Sequence, residues 1–317
     1  MTSAFIFPGQ GSQSVGMGKA LAADFPQAAA VFAEVDAALG EKLSSLMFEG
    51  PEADLTLTAN AQPALMAVSM AVLRVLEAEA GLDLSRDAAF VAGHSLGEYS
   101  ALAAAGSISL ADTARLLRLR GQAMQKAVPV GEGAMAAILG LEFEPVAAVA
   151  AQAAQETGGV CQAANDNGGG QVVISGAKAA VERAMELAKA AGAKRTVPLP
   201  VSAPFHCSLM QPAADAMTAA LAGVEIRAPK APLVANVTAG PITDPAEIRA
   251  RLVEQVTGTV RWRECMSYMA AQGVSTFYEL GAGKVLSGLV KRIADTATGV
   301  SVGTPADVVT FKTARQG

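Results

Sequence analysis

Short apolar runs alternate with longer amphipathic stretches along the first half of this chain. Phe5-Ile6-Phe7 reads as a buried strand that Pro8 cuts off, followed by the glycine-rich turn Pro8-Gly9-Gln10-Gly11-Ser12-Gln13. Helical periodicity follows from about Gly18 to Leu39 and from Gln62 to Ala80. Ala88 to Ala92 is a second short apolar strand, and Gly93 to Gly97 a sharp turn. Glu98 to Ala105 reads as a helix closed by Gly106, and a longer helix runs from about Leu110 to Val128. Helices alternating with short buried strands predict an α/β architecture with a mainly parallel sheet.

The rhythm changes near Pro129. Strand patterns at Ala134–Leu139, Val160–Ala164, Gln171–Ser175 and Lys194–Leu199 enclose helical patterns at Glu144–Gln155 and Ala177–Ala191, with a polar turn at Asn165–Gly170. The order is βαββαβ, the ferredoxin-like unit. It predicts a small inserted domain over residues 130–199, within a larger unit made of residues 1–129 and 200–317. Beyond Pro200, strands are expected at Leu233–Val237, Thr276–Leu280 and Gly299–Val302, and the last residues, Phe311 to Gly317, are expected to fray.

Composition narrows the function classes. The 317 residues are 51% hydrophobic and 17% charged, with a formal net charge of -5, which suits a packed enzyme rather than a disordered chain. Without clustered Lys and Arg, and with only 4% aromatic residues, no nucleic-acid surface is expected. The three cysteines, Cys161, Cys207 and Cys265, are odd in number and form no Cys-x-x-Cys pair, which argues against a disulfide framework or a zinc site. The stretch Ala61–Ala80 is interrupted by Gln62, Ser69, Arg74, Glu77 and Glu79, so it reads as a buried helix, not a membrane span. No basic leader precedes the first strand, and a cytoplasmic enzyme is the expectation.

Chemistry concentrates at Gly93-His94-Ser95-Leu96-Gly97, a Gly-x-Ser-x-Gly motif lying between a strand and a helix. So tight a turn strains the serine and leaves room only for glycine two residues to either side. The serine oxygen then stands above the sheet, near the positive end of the following helix. A nucleophilic serine needs a general base, and the chain has two histidines. His94 adjoins Ser95, so its side chain should point away, which leaves His206, just after the inserted unit. Cys207 reads as a packing residue. The oxyanion of an acyl-transfer intermediate needs two N–H donors; the amides of Leu96 and of Gln10 are the candidates. The competing reading of Gly9-x-Gly11 as a dinucleotide fingerprint fails at Ser14, where a third glycine is required. Arg115, Arg118 and Arg120 share one helix, and spacing alone selects none of them.

These residues fall into ordered blocks: Phe7-Pro8-Gly9-Gln10-Gly11-Ser12-Gln13, Gln62-Pro63-Ala64, Gly93 to Tyr99, Arg120-Gly121-Gln122-Ala123-Met124, Gln171 to Gly176, Ser202-Ala203-Pro204-Phe205-His206 and Val260-Arg261-Trp262. In this order the chain resembles the malonyl-CoA:acyl-carrier-protein transacylases, and more broadly the acyltransferase domains of fatty-acid and polyketide synthases. The resemblance implies a hydrolase-like α/β core carrying an inserted ferredoxin-like unit. It makes Ser95 the nucleophile, His206 the base, and the Gln10 and Leu96 amides the oxyanion hole. It selects Arg120 to pair with the free carboxylate of malonate, and Gln255 to orient the histidine through its backbone carbonyl. It implies malonyl-CoA and holo acyl carrier protein as partners, a monomer, and no metal or cofactor. One block departs from the family's usual Asn-Ser-Pro-Gly-Gln: Asn167-Gly168-Gly169-Gly170-Gln171, expected to be more flexible around Asn165 and Asn167. Basic side chains for coenzyme A and the carrier are sought at Lys194, Arg195, Lys284, Lys291 and Arg292. The rival readings are a serine hydrolase, which normally places its histidine near the C-terminus, and a non-catalytic carrier- or dinucleotide-binding module.

Overall fold

A computed structural model describes residues 2–316. Among these residues ten strands form two sheets. The first is six-stranded and contains β1 (Thr2–Phe7), β2 (Phe90–Gly93), β7 (Leu233–Val234), β8 (Pro241–Ile242), β9 (Val274–Leu280) and β10 (Thr298–Val302), in the order β10-β9-β1-β2-β7-β8. Every pairing in it is parallel except β7 with β8. The second holds β3 (Gly133–Leu139), β4 (Cys161–Asp166), β5 (Gln171–Ala177) and β6 (Arg195–Pro198) in the order β4-β5-β3-β6, all antiparallel. Counted within the small unit that order is 2-3-1-4, the ferredoxin-like arrangement. The α/β reading with a mainly parallel sheet and a ferredoxin-like insertion therefore describes the molecule.

The parallel strands β1 and β2 are short and buried, as their apolar runs require. They place the loop after Phe7 and the turn after Ala92 side by side at the same end of the sheet, with Phe7 paired to Gly93. Helix Thr58–Ala80 is the largest single contributor to the core; its residues from Ala61 to Leu73 are buried. Among the described residues it alone is long and apolar enough to cross a membrane, and it is packed inside protein. Pro63 lies within it and cannot donate to the Ala59 carbonyl. That carbonyl is instead taken by Arg118 Nη1 at 2.6 Å.

Several sequence expectations change here. The pattern over 18–39 is two helices, Lys19–Asp24 and Pro26–Leu39, because Pro26 starts a new first turn. The strand expected over Leu233–Val237 ends at Val234, since Asn236 turns toward the serine loop. Strand β4 runs on through Asp166 with a bulge between Ala163 and Asn165, so the turn is confined to residues 167–170. That turn is tightly specified. Gly168, Gly169 and Gly170 all have positive φ (77°, 59° and 69°), and a Cβ on Gly168 would lie 2.6 Å from Ile293 Cγ1. The C-terminal stretch does not fray within the described residues. It forms helix Pro305–Gln316, in which Phe311 is buried edge-on to Tyr278; Gly317 lies outside the described residues.

Candidate active site

Ser95 has φ 54° and ψ -111°, a strained conformation for a side-chain-bearing residue. The turn around it admits only glycine at its flanks. A Cβ on Gly93 would stand 1.9 Å from the Gly97 backbone, and one on Gly97 would stand 2.2 Å from the Phe7 carbonyl oxygen. Both ends of Ser95 are tied. Its N–H donates to Asn236 Oδ1 at 2.8 Å, and its carbonyl accepts from Gln255 Nε2 at 3.0 Å. Its hydroxyl then projects from the N-terminus of helix Leu96–Ala104.

His206 is also held at positive φ (58°) and is buried. Its Nδ1 faces the carbonyl oxygens of Gln255 (2.9 Å) and Gly258 (3.2 Å). Two acceptors require a proton on Nδ1, so Nε2 carries the lone pair and accepts from the Ser95 hydroxyl at 2.7 Å. Burial first, and the neighbouring Arg120 cation second, push the imidazole down to about 3, against the two carbonyl hydrogen bonds. The ring is thus neutral at ordinary pH, the form a general base needs. Carbonyl oxygens do the orienting that a carboxylate performs in the Ser-His-Asp triad.

Of the three helical arginines, only Arg120 reaches the Ser95 hydroxyl. Arg115 pairs with Asp112 on the surface, and Arg118 serves Ala59, Asn60 and Glu41. Arg120 is buried, donating through Nη1 to Gln62 Oε1 at 2.7 Å and through Nη2 to Gln255 Oε1 (2.9 Å) and Ser95 Oγ (3.1 Å). Its guanidinium carbon lies 5.6 Å from the centre of the Tyr99 ring. Gln62 Nε2 donates to Thr58 Oγ1 (2.9 Å), which donates to Gln10 Oε1 (2.8 Å). A hydrogen-bonded chain therefore runs from the arginine to the glycine-rich loop.

Gln10 and Leu96 line the same cleft as Ser95, His206 and Arg120, a cavity of about 440 Å³. Among the described residues neither amide is taken by another backbone group. The loop that carries Gln10 presses on the serine turn: a Cβ on Gly9 would meet the His94 carbonyl oxygen at 2.9 Å. The first helix after this loop is only Lys19–Asp24, far from the long phosphate-facing helix of a dinucleotide fold. His94 pairs through Nε2 with Asn167 Oδ1 at 2.9 Å, not with Ser95, and both line the cleft. Cys207 is buried, its thiol pushed up by burial, and its Sγ donates to the Pro204 carbonyl. Lys194, Arg195, Lys284, Lys291 and Arg292 are all exposed, and only Lys284 directly precedes a cleft residue, Val285. Among the described residues no cluster of metal-ligating side chains occurs.

Three participants escaped the sequence reading. Asn236 clamps the serine N–H and donates through Nδ2 to the Gly93 carbonyl at 2.7 Å. Glu98 lies fully buried beneath the serine. The side chain of Gln255, not only its carbonyl, joins Ser95, Arg120 and Glu98. Glu98 lies inside the block Gly93 to Tyr99, and Asn236 lies inside the strand pattern expected over Leu233–Val237; nothing in their spacing connects them.

Residues 4–310 match the family model described as the acyl transferase domain. The malonyl CoA-acyl carrier protein transacylases of Salmonella typhimurium and Escherichia coli are each 50% identical over 303 residues, spanning 96% of this chain and 96% of theirs. The solved acyl-carrier-protein-S-malonyltransferase from Bartonella henselae is 58% identical, covers 100% of both chains and superposes with a TM-score of 0.96. A malonyl-transacylase solved in complex with its type II PKS acyl-carrier protein is 44% identical, covering 99% of this chain and 100% of its own, with a TM-score of 0.95. With a family model spanning residues 4–310 and relatives half identical over 96% of their length, this protein belongs to the acyl transferase domain family.

Proposed function

We propose that this enzyme moves the malonyl group from malonyl-CoA to the phosphopantetheine thiol of an acyl carrier protein, through a malonyl ester on Ser95. The observation that carries this reading is the Arg120 guanidinium 3.1 Å from the serine oxygen. A buried cation so close to the nucleophile suits an acyl group whose second carboxylate lies one methylene from the reacting carbonyl. The planar guanidinium supports two parallel hydrogen bonds to that carboxylate. Acetyl has nothing to offer it, and longer dicarboxylic chains overshoot it.

The steps follow from the proton positions. His206 Nε2 takes the Ser95 proton as Oγ bonds to the thioester carbon. The oxyanion accepts from the Gln10 and Leu96 amides, each worth roughly 10²–10³ in rate. On collapse the carbon–sulfur bond breaks, and His206 returns the proton to the departing coenzyme A sulfur. In the second half the carrier thiol gives its proton to His206, its sulfur attacks the malonyl ester, and Ser95 recovers the proton as its bond to carbon breaks. No step calls for a metal or cofactor. The relatives named for malonyl transfer, one of them bound to its carrier, support the choice of donor and acceptor. Fatty-acid synthesis is the corresponding pathway. We assign the enzyme to the cytoplasm as a monomer; its exposed large apolar side chains (Val15, Leu57, Leu119, Val130, Val285, Val309) come singly from separate segments.

The substrate assignment is tested by Arg120→Ala. Competing malonyl-CoA and acetyl-CoA should show malonyl preference falling by about 10²-fold or more, the cost of two charge-assisted hydrogen bonds. Unchanged malonyl preference contradicts the role of Arg120.

A further inference from the structure

The mechanism leaves one buried ionisable group unused. Glu98, in the first turn of helix Leu96–Ala104, is fully buried. Its Oε2 accepts from the Asn236 backbone N–H at 3.0 Å and from Gln255 Nε2 at 2.9 Å. These are the two residues that hold the N–H and the carbonyl of Ser95. At its other end the Gln255 amide accepts from Arg120 Nη2. The amide thus lies between a cation and a carboxylate, its oxygen toward the first and its nitrogen toward the second. The remaining oxygen, Glu98 Oε1, has no partner among the described residues.

Burial raises the Glu98 carboxyl to about 7, against the hydrogen bonds from Gln255 and Asn236 and the Arg120 charge. The other ionisable groups coupled to it are Tyr99 on its own helix and Cys265 on helix Trp262–Ala271. Burial keeps both neutral, Tyr99 pushed up to about 12 and Cys265 also raised. His206, which faces Arg120, is neutral as well. Beneath the nucleophile there is one buried cation with one buried carboxylate to balance it. A malonyl carboxylate arriving on Arg120 makes two carboxylates to one cation in a medium that screens poorly. A proton on Glu98 restores the balance, and the bare Oε1 takes it without disturbing either bond to Oε2.

We propose that Glu98 is a proton-linked positioning residue: a carboxylate in the ligand-free enzyme at mildly alkaline pH, it takes up a proton when a malonyl carboxylate pairs with Arg120, and releases it when malonyl leaves on the carrier. Through both states Oε2 keeps Asn236 and Gln255, and hence Ser95, in place. The inference rests on the malonyl–Arg120 pairing above.

Calorimetric titration with a malonyl-CoA analogue whose thioester sulfur is replaced by methylene, in buffers of differing ionisation enthalpy, counts the protons. At about pH 8 the wild-type protein should take up close to one proton with the malonyl analogue and none with the acetyl analogue. Its malonyl affinity should tighten by up to tenfold per unit as pH falls from about 9 to about 7, the direction required when the bound state holds the extra proton. Glu98→Gln, isosteric and uncharged, should take up none and bind with affinity flat in pH. Equal proton uptake by both proteins, or none by the wild type, overturns the proposal. Should Glu98→Gln fail to fold, the infrared difference spectrum of the wild type serves: a protonated-carboxyl stretch must appear with the malonyl analogue and not with the acetyl one. A wild type that acquires the malonyl mass on Ser95 without proton uptake refutes only this coupling; one that acquires no malonyl mass refutes the transfer reading itself.

Discussion

At the residue scale, the decisive feature is a neutral histidine facing an arginine across one serine oxygen. A free imidazole titrates near 6.5, but burial and the Arg120 charge hold His206 down at about 3. The sign of the consequence is fixed. Protonation would disable the base proposed above, and His206 in the free enzyme takes its proton only near that lowered value. The acid limb of kcat/KM for malonyl-CoA should therefore fall well below pH 6.5. An acid limb at 6 to 7, absent from a His206→Ala background, contradicts the neutral-base geometry. The same lowering penalises the folded state in acid, since an unfolded histidine binds its proton near 6.5 while the folded one refuses it down to about 3.

At the element scale, the serine turn depends on close packing of backbone on backbone. Gly93→Ala places a methyl 1.9 Å from Gly97 main-chain atoms, with no flexible side chain to give way. We expect this variant to lose several kcal/mol, roughly 3 or more, and to show it as poor soluble yield or a sharply lowered Tm. A variant with wild-type Tm and activity contradicts the turn geometry. This element was legible in the sequence because its constraint is local: strand, glycine, serine, glycine and helix lie within a dozen consecutive residues. The ferredoxin-like unit was legible for a related reason, since its helices and strands each show their own period. Elements whose limits are set by distant partners were not. The periodicity shows this helix only from Gln62, yet Arg118 satisfies the carbonyl that Pro63 leaves bare, and the helix begins at Thr58. The strand at Leu233 stops early because Asn236 bonds across to Ser95 and Gly93. Glu98 and Asn236 meet across 138 residues of chain, a contact no periodicity encodes.

At the scale of the whole molecule, the cleft lies between the two sheets, so its shape depends on how they are joined. Beyond the chain crossings, strand β4 is stitched to the large unit at Val260: Val260 N–H donates to the Ala164 carbonyl and the Asp166 N–H donates to the Val260 carbonyl, both at 2.9 Å. The buried Asp166 carboxylate also accepts from Arg263 Nε at 2.8 Å. Arg263→Ala leaves that carboxylate buried without its cation, a cost of roughly 1–3 kcal/mol. Thermal unfolding should show a lowered Tm, and malonyl loading should slow as Asn165 and Asn167 lose their fixed place in the cleft lining. Unchanged Tm and loading contradict a structural role for this tie. The reaction proposed above turns on loading malonyl onto one serine oxygen. Intact-mass measurement after mixing with malonyl-CoA tests it most directly. The wild-type protein should gain one malonyl group, lose it again when holo carrier protein is added, and Ser95→Ala should gain none. A Ser95→Ala protein that still acquires the malonyl mass, or a wild type that never does, contradicts it.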